Sequence, residues 1–357
     1  MTQNKQLDFS GTTIYCGVDV HKKSWRINIQ DGEFELEDFT QNADAVLLHH
    51  HLSRRYPNAT FKIGYEAGFS GFTVQRILSE LGNECLVINA ADVPTGDKEK
   101  RRKQDKVDAR KLCEHLQSRK ARSIYIPDCL WEHARTLVRT RERIVNNQTR
   151  CKNRIWQLLH FSGLSAPLDM QSGSYWSRKF ISCLEQMDCG DVHLHAALQL
   201  YIKDYLQTRA SLLQATRAIR KLCREEAYAP GIRLLRSIPG IGEVNAAIIL
   251  FELQDIKRFK NFDNLCGYVG LVPDTEDSGE TKRCKGITKR SNNYLRVALV
   301  ESCWNVVRKD PALLMKYKGY CKKMEPNKAI VRIAKHLLAR IRYVLLNQME
   351  YVTGVVA

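Results

Sequence analysis

The chain has 357 residues, 44% of them hydrophobic, which is enough for two or three domains with sizeable cores and too apolar for a disordered protein. Fifty-six Lys and Arg stand against 39 acidic residues, a formal net charge of +17 that favours a polyanionic partner, nucleic acid before an acidic membrane surface. No apolar run approaches the roughly 18–20 residues of a membrane span and no signal-peptide pattern opens the chain. The 12 cysteines are scattered without a C-x-x-C pair, which argues against a zinc ribbon or a disulfide framework and for reduced thiols in a cytoplasm.

The run "TTIYCGVDVHK" (12–22) is strand-like, and "SWRINIQDGEFELEDFT" (24–40) alternates around a D-G dipeptide, a hairpin signal. A helix is predicted over 42–56 and a strand over 60–68 that ends in "YEAG". An amphipathic helix with a glycine stop (72–82) and a buried strand (84–90) follow. The order β-β-β-α-β-α-β-α describes an α/β domain opening with an antiparallel meander, and it is expected to run to Pro127.

From about 130 the pattern is long helix. Leu137, Ile144, Cys151 and Leu158 recur every seven residues, joined by Ala134 and Ile155 on the alternate position. A second seam, from Leu194 through Leu198, Tyr201, Tyr205, Thr208, Leu212, Ala215 and Ile219 to Leu222, predicts a coiled coil or a long helical hairpin. Arg141 and Gln148 are polar seam positions. Residues 161–177, rich in Ser, Gly and Pro, are predicted as the connecting loop. After Pro230, "LLRSIPGIGEVNAAIIL" (234–250) places two apolar helical segments around a P-G-I-G turn. That is a helix-hairpin-helix pattern, in which Gly240 and Gly242 would leave backbone N–H groups bare for phosphate. Two further helices are predicted, over 293–308 and 327–352, the latter with Pro326 at its edge. Three domains are therefore expected, at 1–127, 128–229 and 230–357.

The carboxylates carry the chemistry. Asp19 closes the first strand and Glu66 a later one, while Asp105 and Asp108 lie three apart on a predicted helix and so share a face. Singly, each is more often a turn former or a helix-start feature than part of a site. Together, four carboxylates on two strand ends and one helix can bind hard divalent cations such as Mg²⁺ or Mn²⁺, which clamp the oxygens of an in-line phosphoryl displacement. Asp105 and Asp108 sit in "KEKRRKQDKVDARKL" (98–112), where Lys103, Lys106 and Arg110 are placed to meet phosphate.

These residues have a family likeness. "GVDVHK", "YEAG", "KQDKVDARKL", "SIPGIG", "FKNFDNLCGYVGLVP" (259–273) and "TKRSNNYLR" (288–296) together resemble the DEDD transposases of insertion-sequence family one hundred and ten, which includes the Piv-type DNA invertases. The resemblance implies a RuvC-like, ribonuclease H-like N-terminal domain whose acidic tetrad is Asp19, Glu66, Asp105 and Asp108. It also implies that Ser278, in "DTEDSGETKRCKG" (274–286), is a nucleophile forming a covalent phosphoserine link to DNA. Where the family has glycine in "TK-x-G-N", this chain has Ser291, a rival nucleophile ranked below Ser278. Lys282, Arg283, Lys285, Lys289, Arg290 and Arg296 surround the serine as expected phosphate contacts. Arg139, Arg141, Arg143, Arg150, Lys152 and Arg154 on the first long helix are candidates for the same work. His21 is expected near the site without being a ligand, the "HHH" at 49–51 is not expected to bind metal, and Trp156 and Trp304 are expected in core positions.

The expected partners are donor and target DNA, a noncoding guide RNA, and further copies of the chain, since the heptad seams suggest a homodimer or larger assembly. No membrane association is expected, and the protein should be cytoplasmic, nucleoid-associated when active. Alternatives are a Piv-type invertase, a RuvC-like junction nuclease that needs no serine, and a nucleic-acid-binding protein with an inactive site.

Overall fold

The computed structural model describes residues 8–93, 105–165, 175–278, 281–288 and 291–353; the side chains of 105–106, 275–278 and 281–285 lie outside that description. The chain forms two compact units, residues 1–126 and 127–357.

In the first unit, β1 (Thr13–Val20), β2 (Ser24–Gln30) and β3 (Glu35–Asn42) form an antiparallel meander. After α1 (Ala45–Arg55), β4 (Thr60–Glu66) pairs parallel to β1. After α2 (Thr73–Glu80), β5 (Glu84–Ile88) pairs parallel to β4. The sheet order is β3-β2-β1-β4-β5. Helix α3 (Asp105–Gln117) completes the predicted sequence of elements.

Strand alternation assigns the two faces. Ile14, Cys16 and Val18 of β1 join Ile63 and Tyr65 of β4 and Cys85 and Val87 of β5 in one cluster, covered by Leu48 and Leu52 of α1 and Val74 and Leu78 of α2. The opposite face carries Leu86 and Ile88, and Leu112 and Leu116 of α3 pack on it. Burial on both faces explains why these strands read as nearly continuous apolar runs.

The second unit begins with α4 (Cys129–Phe161), α5 (Arg178–Glu185) and α6 (Val192–Leu222). Helices α4 and α6 pack antiparallel within the chain. Arg141 Nε donates to Thr216 Oγ1 at 3.1 Å, and further along Cys151 Sγ meets Thr208 Oγ1 at 3.8 Å. At the far end Cys151, Ile155 and Leu159 pack with Leu198, Ile202 and Tyr205, closed by Phe180, Ile181 and Leu184 of α5. At the near end Ala134, Val138 and Ile219 join the main core of the unit. The two seams thus face each other in one molecule, so the heptad pattern carries no argument for a second copy. Val138 and Leu159, one place on from the predicted Leu137 and Leu158, are the fully buried positions.

The remaining elements are α7 (Ala229–Arg236), α8 (Glu243–Leu253), α9 (Phe262–Val269), the hairpin β6 (Pro273–Ser278) and β7 (Thr281–Ile287), α10 (Asn293–Lys309), α11 (Pro311–Cys321) and α12 (Pro326–Asn347). Helices α5, α9 and α11 and the hairpin go beyond the predicted elements, and α12 ends at 347 rather than 352. Trp304 packs against the main core and Trp156 against the far cluster. Among the described residues the cysteines in the fold are free thiols, and no helix is long and apolar enough to cross a membrane.

Candidate active site and nucleic-acid contacts

The acidic site is assembled by register. Gly17 of β1 lies opposite Gly64 of β4, and Val18 opposite Tyr65; the next residues are Asp19 and Glu66. In a parallel pair these two acids are neighbours on strands about 4.8 Å apart. Each is two residues beyond a glycine, so each shares that glycine's face of the sheet. Both glycines lie under α3. A Cβ on Gly17 would sit 2.1 Å from the Ala109 carbonyl oxygen and 2.6 Å from the Cys113 nitrogen, and a Cβ on Gly64 would sit 3.0 Å from the Leu116 side chain. The missing side chain at Gly17 lets the helix backbone rest directly on the sheet, and that at Gly64 makes room for Leu116.

Helix α3 runs antiparallel to β1. Ala109 and Cys113 cover Gly17, Cys113 Sγ donates to the Tyr15 carbonyl at 3.2 Å, and Gln117 Nε2 donates to Gln30 Oε1 at 2.6 Å. That last contact extends through buried polar groups, from Gln30 Nε2 to Asn28 Oδ1 at 2.7 Å and from Asn28 Nδ2 to Glu35 Oε2 at 3.1 Å. The N-terminal turn of α3, with Asp105 and Asp108, therefore lies toward the end of β1 that carries Asp19. Asp19 is partly buried, with its Oδ2 3.1 Å from His21 Nε2. Asp108 is partly buried and Glu66 is exposed.

All four acids have oxygen donors suited to Mg²⁺, and two strand ends and one helix end bring their backbones to one edge of the sheet. Among the described residues no three acids, histidines or cysteines already stand close enough to hold an ion. The Asp105 side chain lies outside the described residues.

Of the expected phosphate contacts in this unit, Lys103 and the side chain of Lys106 lie outside the described residues. Arg110 is exposed but engaged, its Nε 3.1 Å from Glu114 and 3.7 Å from Glu35. The "HHH" residues are tied locally. His51 Nε2 is 2.9 Å from Glu37, and His49 Nδ1 pairs with Asn83.

In the second unit Ser278 is the last residue of β6 and pairs with Thr281 across the tip of the hairpin. The side chains of Ser278, Lys282, Arg283 and Lys285, and all of Lys289 and Arg290, lie outside the described residues. Ser291 is partly buried. Its Oγ is buried with no hydrogen-bond partner, and a Cβ on Gly270 (φ +80°) would come within 2.5 Å of it. A hydroxyl turned inward in this way is not presented to a phosphodiester, which argues against the rival nucleophile. Arg296 is committed to its own loop, donating to the Thr288 carbonyl at 2.9 Å and to Asn293 Oδ1 at 3.1 Å.

Gly242 is the exposed N-cap of α8, with no side-chain cap and open space where a Cβ would stand. No side chain at Gly242 covers the first N–H groups of α8, though Glu243 places an acid in that turn. Gly240 has a different duty. At φ +94° its missing Cβ leaves room for α10, since a side chain would meet the Val306 nitrogen at 2.6 Å. On α4, Arg139 and Arg141 face inward rather than toward a ligand. Arg139 makes a bidentate pair with the buried Glu252, at 2.6 and 2.8 Å, and Arg141 bonds Thr216.

Glu252 escaped the sequence reading altogether. It also accepts from Asn292 Nδ2 at 2.7 Å, and Asn292 caps α10 through its Oδ1 to the Leu295 nitrogen at 3.1 Å. Tyr268 donates to the Glu252 carbonyl at 3.1 Å. The buried carboxylate of Glu252 so joins α4, α8 and the start of α10, and its backbone carbonyl ties in α9 through Tyr268. Its only sequence signal is a lone acid in the apolar run "IILFEL".

Comparison with known proteins agrees with this picture. Residues 16–162 match the DEDD transposase family of IS110 type, and residues 232–318 match the family described as "Transposase IS116/IS110/IS902 family". The chain is 26% identical over 298 residues to "Putative transposase y4qE" of Sinorhizobium fredii, covering 81% of this chain and 71% of that protein. It is 28% identical over 306 residues to a second transposase of that organism, y4rJ, covering 78% and 76%. To the "Transposase for insertion sequence element IS1111A" of Coxiella burnetii it is 26% identical over 263 residues, covering 71% and 70%. These matches, over an α/β sheet unit followed by a helical unit, define the class: the chain is a DNA transposase. It belongs to the IS110 family of DEDD transposases.

Proposed function

We propose that this transposase cuts and rejoins DNA strands through a serine-linked intermediate, at a site whose metal-binding part is Asp19, Glu66, Asp105 and Asp108. The observation that carries the reading is the register of β1 and β4, which sets Asp19 beside Glu66 under the N-terminal end of α3. The β3-β2-β1-β4-β5 order supports a ribonuclease H-like, RuvC-like core. Bound there, Mg²⁺ or Mn²⁺ would supply Lewis acidity at a phosphate oxygen and stabilise the leaving oxyanion.

Ser278 Oγ attacks the phosphorus of a DNA phosphodiester. The Oγ–P bond forms, the bond to the leaving sugar oxygen breaks, and the serine proton ends on that oxygen. Attack by a hydroxyl of another strand reverses the exchange and frees the serine. Lys282, Arg283, Lys285, Lys289 and Arg290 of the second unit, and Lys103 and Lys106 of the first, supply contacts to the DNA backbone. The N–H groups after Gly242, in a helix-hairpin-helix, add a sequence-independent phosphate contact.

Since such contacts read backbone rather than bases, a noncoding guide RNA pairing with donor and target DNA supplies the sequence specificity, and the +17 charge suits two polyanions. Recombination holds several strands at once, so the working form is a homo-oligomer in the cytoplasm. The test is incubation of the purified protein with labelled donor and target DNA. A covalent protein–DNA adduct should form, and it should vanish in Ser278→Ala. Full strand cleavage by Ser278→Ala would instead establish a water-dependent nuclease.

A further inference from the structure

Beneath the root of the β6–β7 hairpin lies a cavity of about 790 Å³, walled on one side by α12 and on another by Phe262 of α9 and Tyr320 of α11. Its floor is apolar, from Leu271, Val272, Val331 and the partly exposed Ile287. Its rim is cationic. Lys328, Arg332 and Lys335 are exposed and spaced i, i+4 and i+7, so they form one stripe on α12. Among the described residues lining it none is acidic.

The aromatic rings already hold cations. Arg332 Cζ lies 5.5 Å from the Tyr320 ring centroid, and Lys335 Nζ lies 5.8 Å from that of Phe262. Such contacts are weak at exposed sites, and the long side chains can leave a ring for a phosphate. Tyr320 is held in place from the other direction, its hydroxyl 2.9 Å from His336 Nε2. Burial, followed by Lys316, Arg340 and Lys335, keeps His336 below its usual pKa, so at neutral pH its uncharged ring can accept the hydrogen bond of the tyrosine hydroxyl.

We infer that this cavity receives a single unstacked nucleotide, its base against Tyr320 or Phe262 and its phosphate on Lys328, Arg332 and Lys335. An apolar floor, ring faces and a stripe of positive charge are the combination by which single-stranded nucleic acid is held. An apolar peptide would find the rim unmatched, and an inorganic anion would leave the floor empty. The inference deepens the transposase reading by giving its substrate a subsite. From Pro273 at the cavity to Ser278 is five residues of strand, about 17 Å, or five stacked nucleotide steps of about 3.4 Å. The held nucleotide then lies within about five positions of the exchange point.

Photo-crosslinking tests this on the full-length protein, using short single strands that carry one 4-thiothymidine (DNA) or one 4-thiouridine (RNA). Adducts should map to the peptides containing Phe262 or Tyr320. Their yield should fall about tenfold in Ala339→Glu, which adds a carboxylate at an exposed wall position without disturbing the core. Tyr320→Leu should move the remaining adducts to Phe262, and a heat-denaturation midpoint equal to the parent's shows that each variant is folded. Whichever arm reacts identifies the nucleic acid that is held. Adducts confined to other peptides, or an unchanged yield in Ala339→Glu, would overturn the inference. The Ser278 reading fails separately, because its adduct forms without light and its absence leaves these crosslinks untouched.

Discussion

Gly17 and Ala109 are packed so closely that a single added methyl on the glycine would lie 2.1 Å from the alanine's carbonyl oxygen. Ala109 is one residue from Asp108 and four from Asp105, and Gly17 is two from Asp19. The contact therefore sets the spacing between the strand acids and the helix acids. Gly17→Ala should lift α3 and destabilise the protein by about 1–3 kcal/mol, the usual cost of overpacking. Strand exchange should fall far more than DNA binding; equal losses, measured by adduct formation and by gel retardation, would separate the contact from the site.

The acids themselves should behave differently from the basic residues around them. Asp105→Asn and Asp108→Asn should abolish strand exchange and leave DNA retention within about twofold, because neither removes a phosphate contact. Lys106→Ala should weaken binding and lower the salt slope by about one. A DNA-binding defect in Asp108→Asn as large as that of Lys106→Ala would remove Asp108 from the catalytic set.

Glu252 is buried and answers to Arg139 and Asn292 at once. Glu252→Ala should cost about 3 kcal/mol in chemical denaturation, since it strands a guanidinium that is only about one-third exposed and uncaps α10. The double variant Arg139→Met/Glu252→Met should recover part of that loss. A double variant no more stable than Glu252→Ala would show that packing, rather than the stranded charge, sets the cost.

Asp310 gives the second unit an acid limb. Its burial would raise its pKa, but the Leu313 N–H, the Tyr351 hydroxyl and the Arg340 guanidinium together hold it below the ordinary carboxylate value. The stability it contributes is complete above about pH 4, the unfolded value, and is lost as pH falls through the lower folded value. Tyr351 works at the other end. Burial, then the bond to Asp310, pushes its pKa up to about 12. Its contribution holds below about pH 10 and fades as pH rises toward 12. Asp310→Asn should lower neutral-pH stability by about 2–3 kcal/mol and flatten the decline below pH 4. An unchanged slope in a pH series of urea midpoints would contradict this account.

The first unit was largely legible because β1, β4 and β5 are buried strands and Asp19 and Glu66 each close an apolar run. The hairpin β6–β7 was not. "PDTEDS" and "TKRCKGI" lack the apolar alternation that marks a half-buried strand, so no strand pair was predicted there. Helix α11 has clear start signals, Asp310 as cap and Pro311 in the first turn, but Leu313 is its only buried residue among those described, and no stripe shows. The long helices were read correctly as helices and wrongly as evidence for partners, because a heptad seam does not reveal whether its mate lies in the same chain. Glu252 stayed hidden because Arg139 is 113 residues away and Asn292 is 40 away, and pairing at such distances leaves no local pattern.

The hairpin of α4 and α6 has apolar anchorage at its two ends and little between them. From Arg139 to Arg150 no residue of α4 is fully buried, and the cross-links there are the Arg141–Thr216 and Cys151–Thr208 contacts. A helix pair fastened this way does not melt as one body. Its far third, closed by α5, can lose and regain its amide protection while the near end stays folded into the main core. Hydrogen exchange along α4 should accordingly fall into two kinetic classes, with the change of class inside the stretch 139–150.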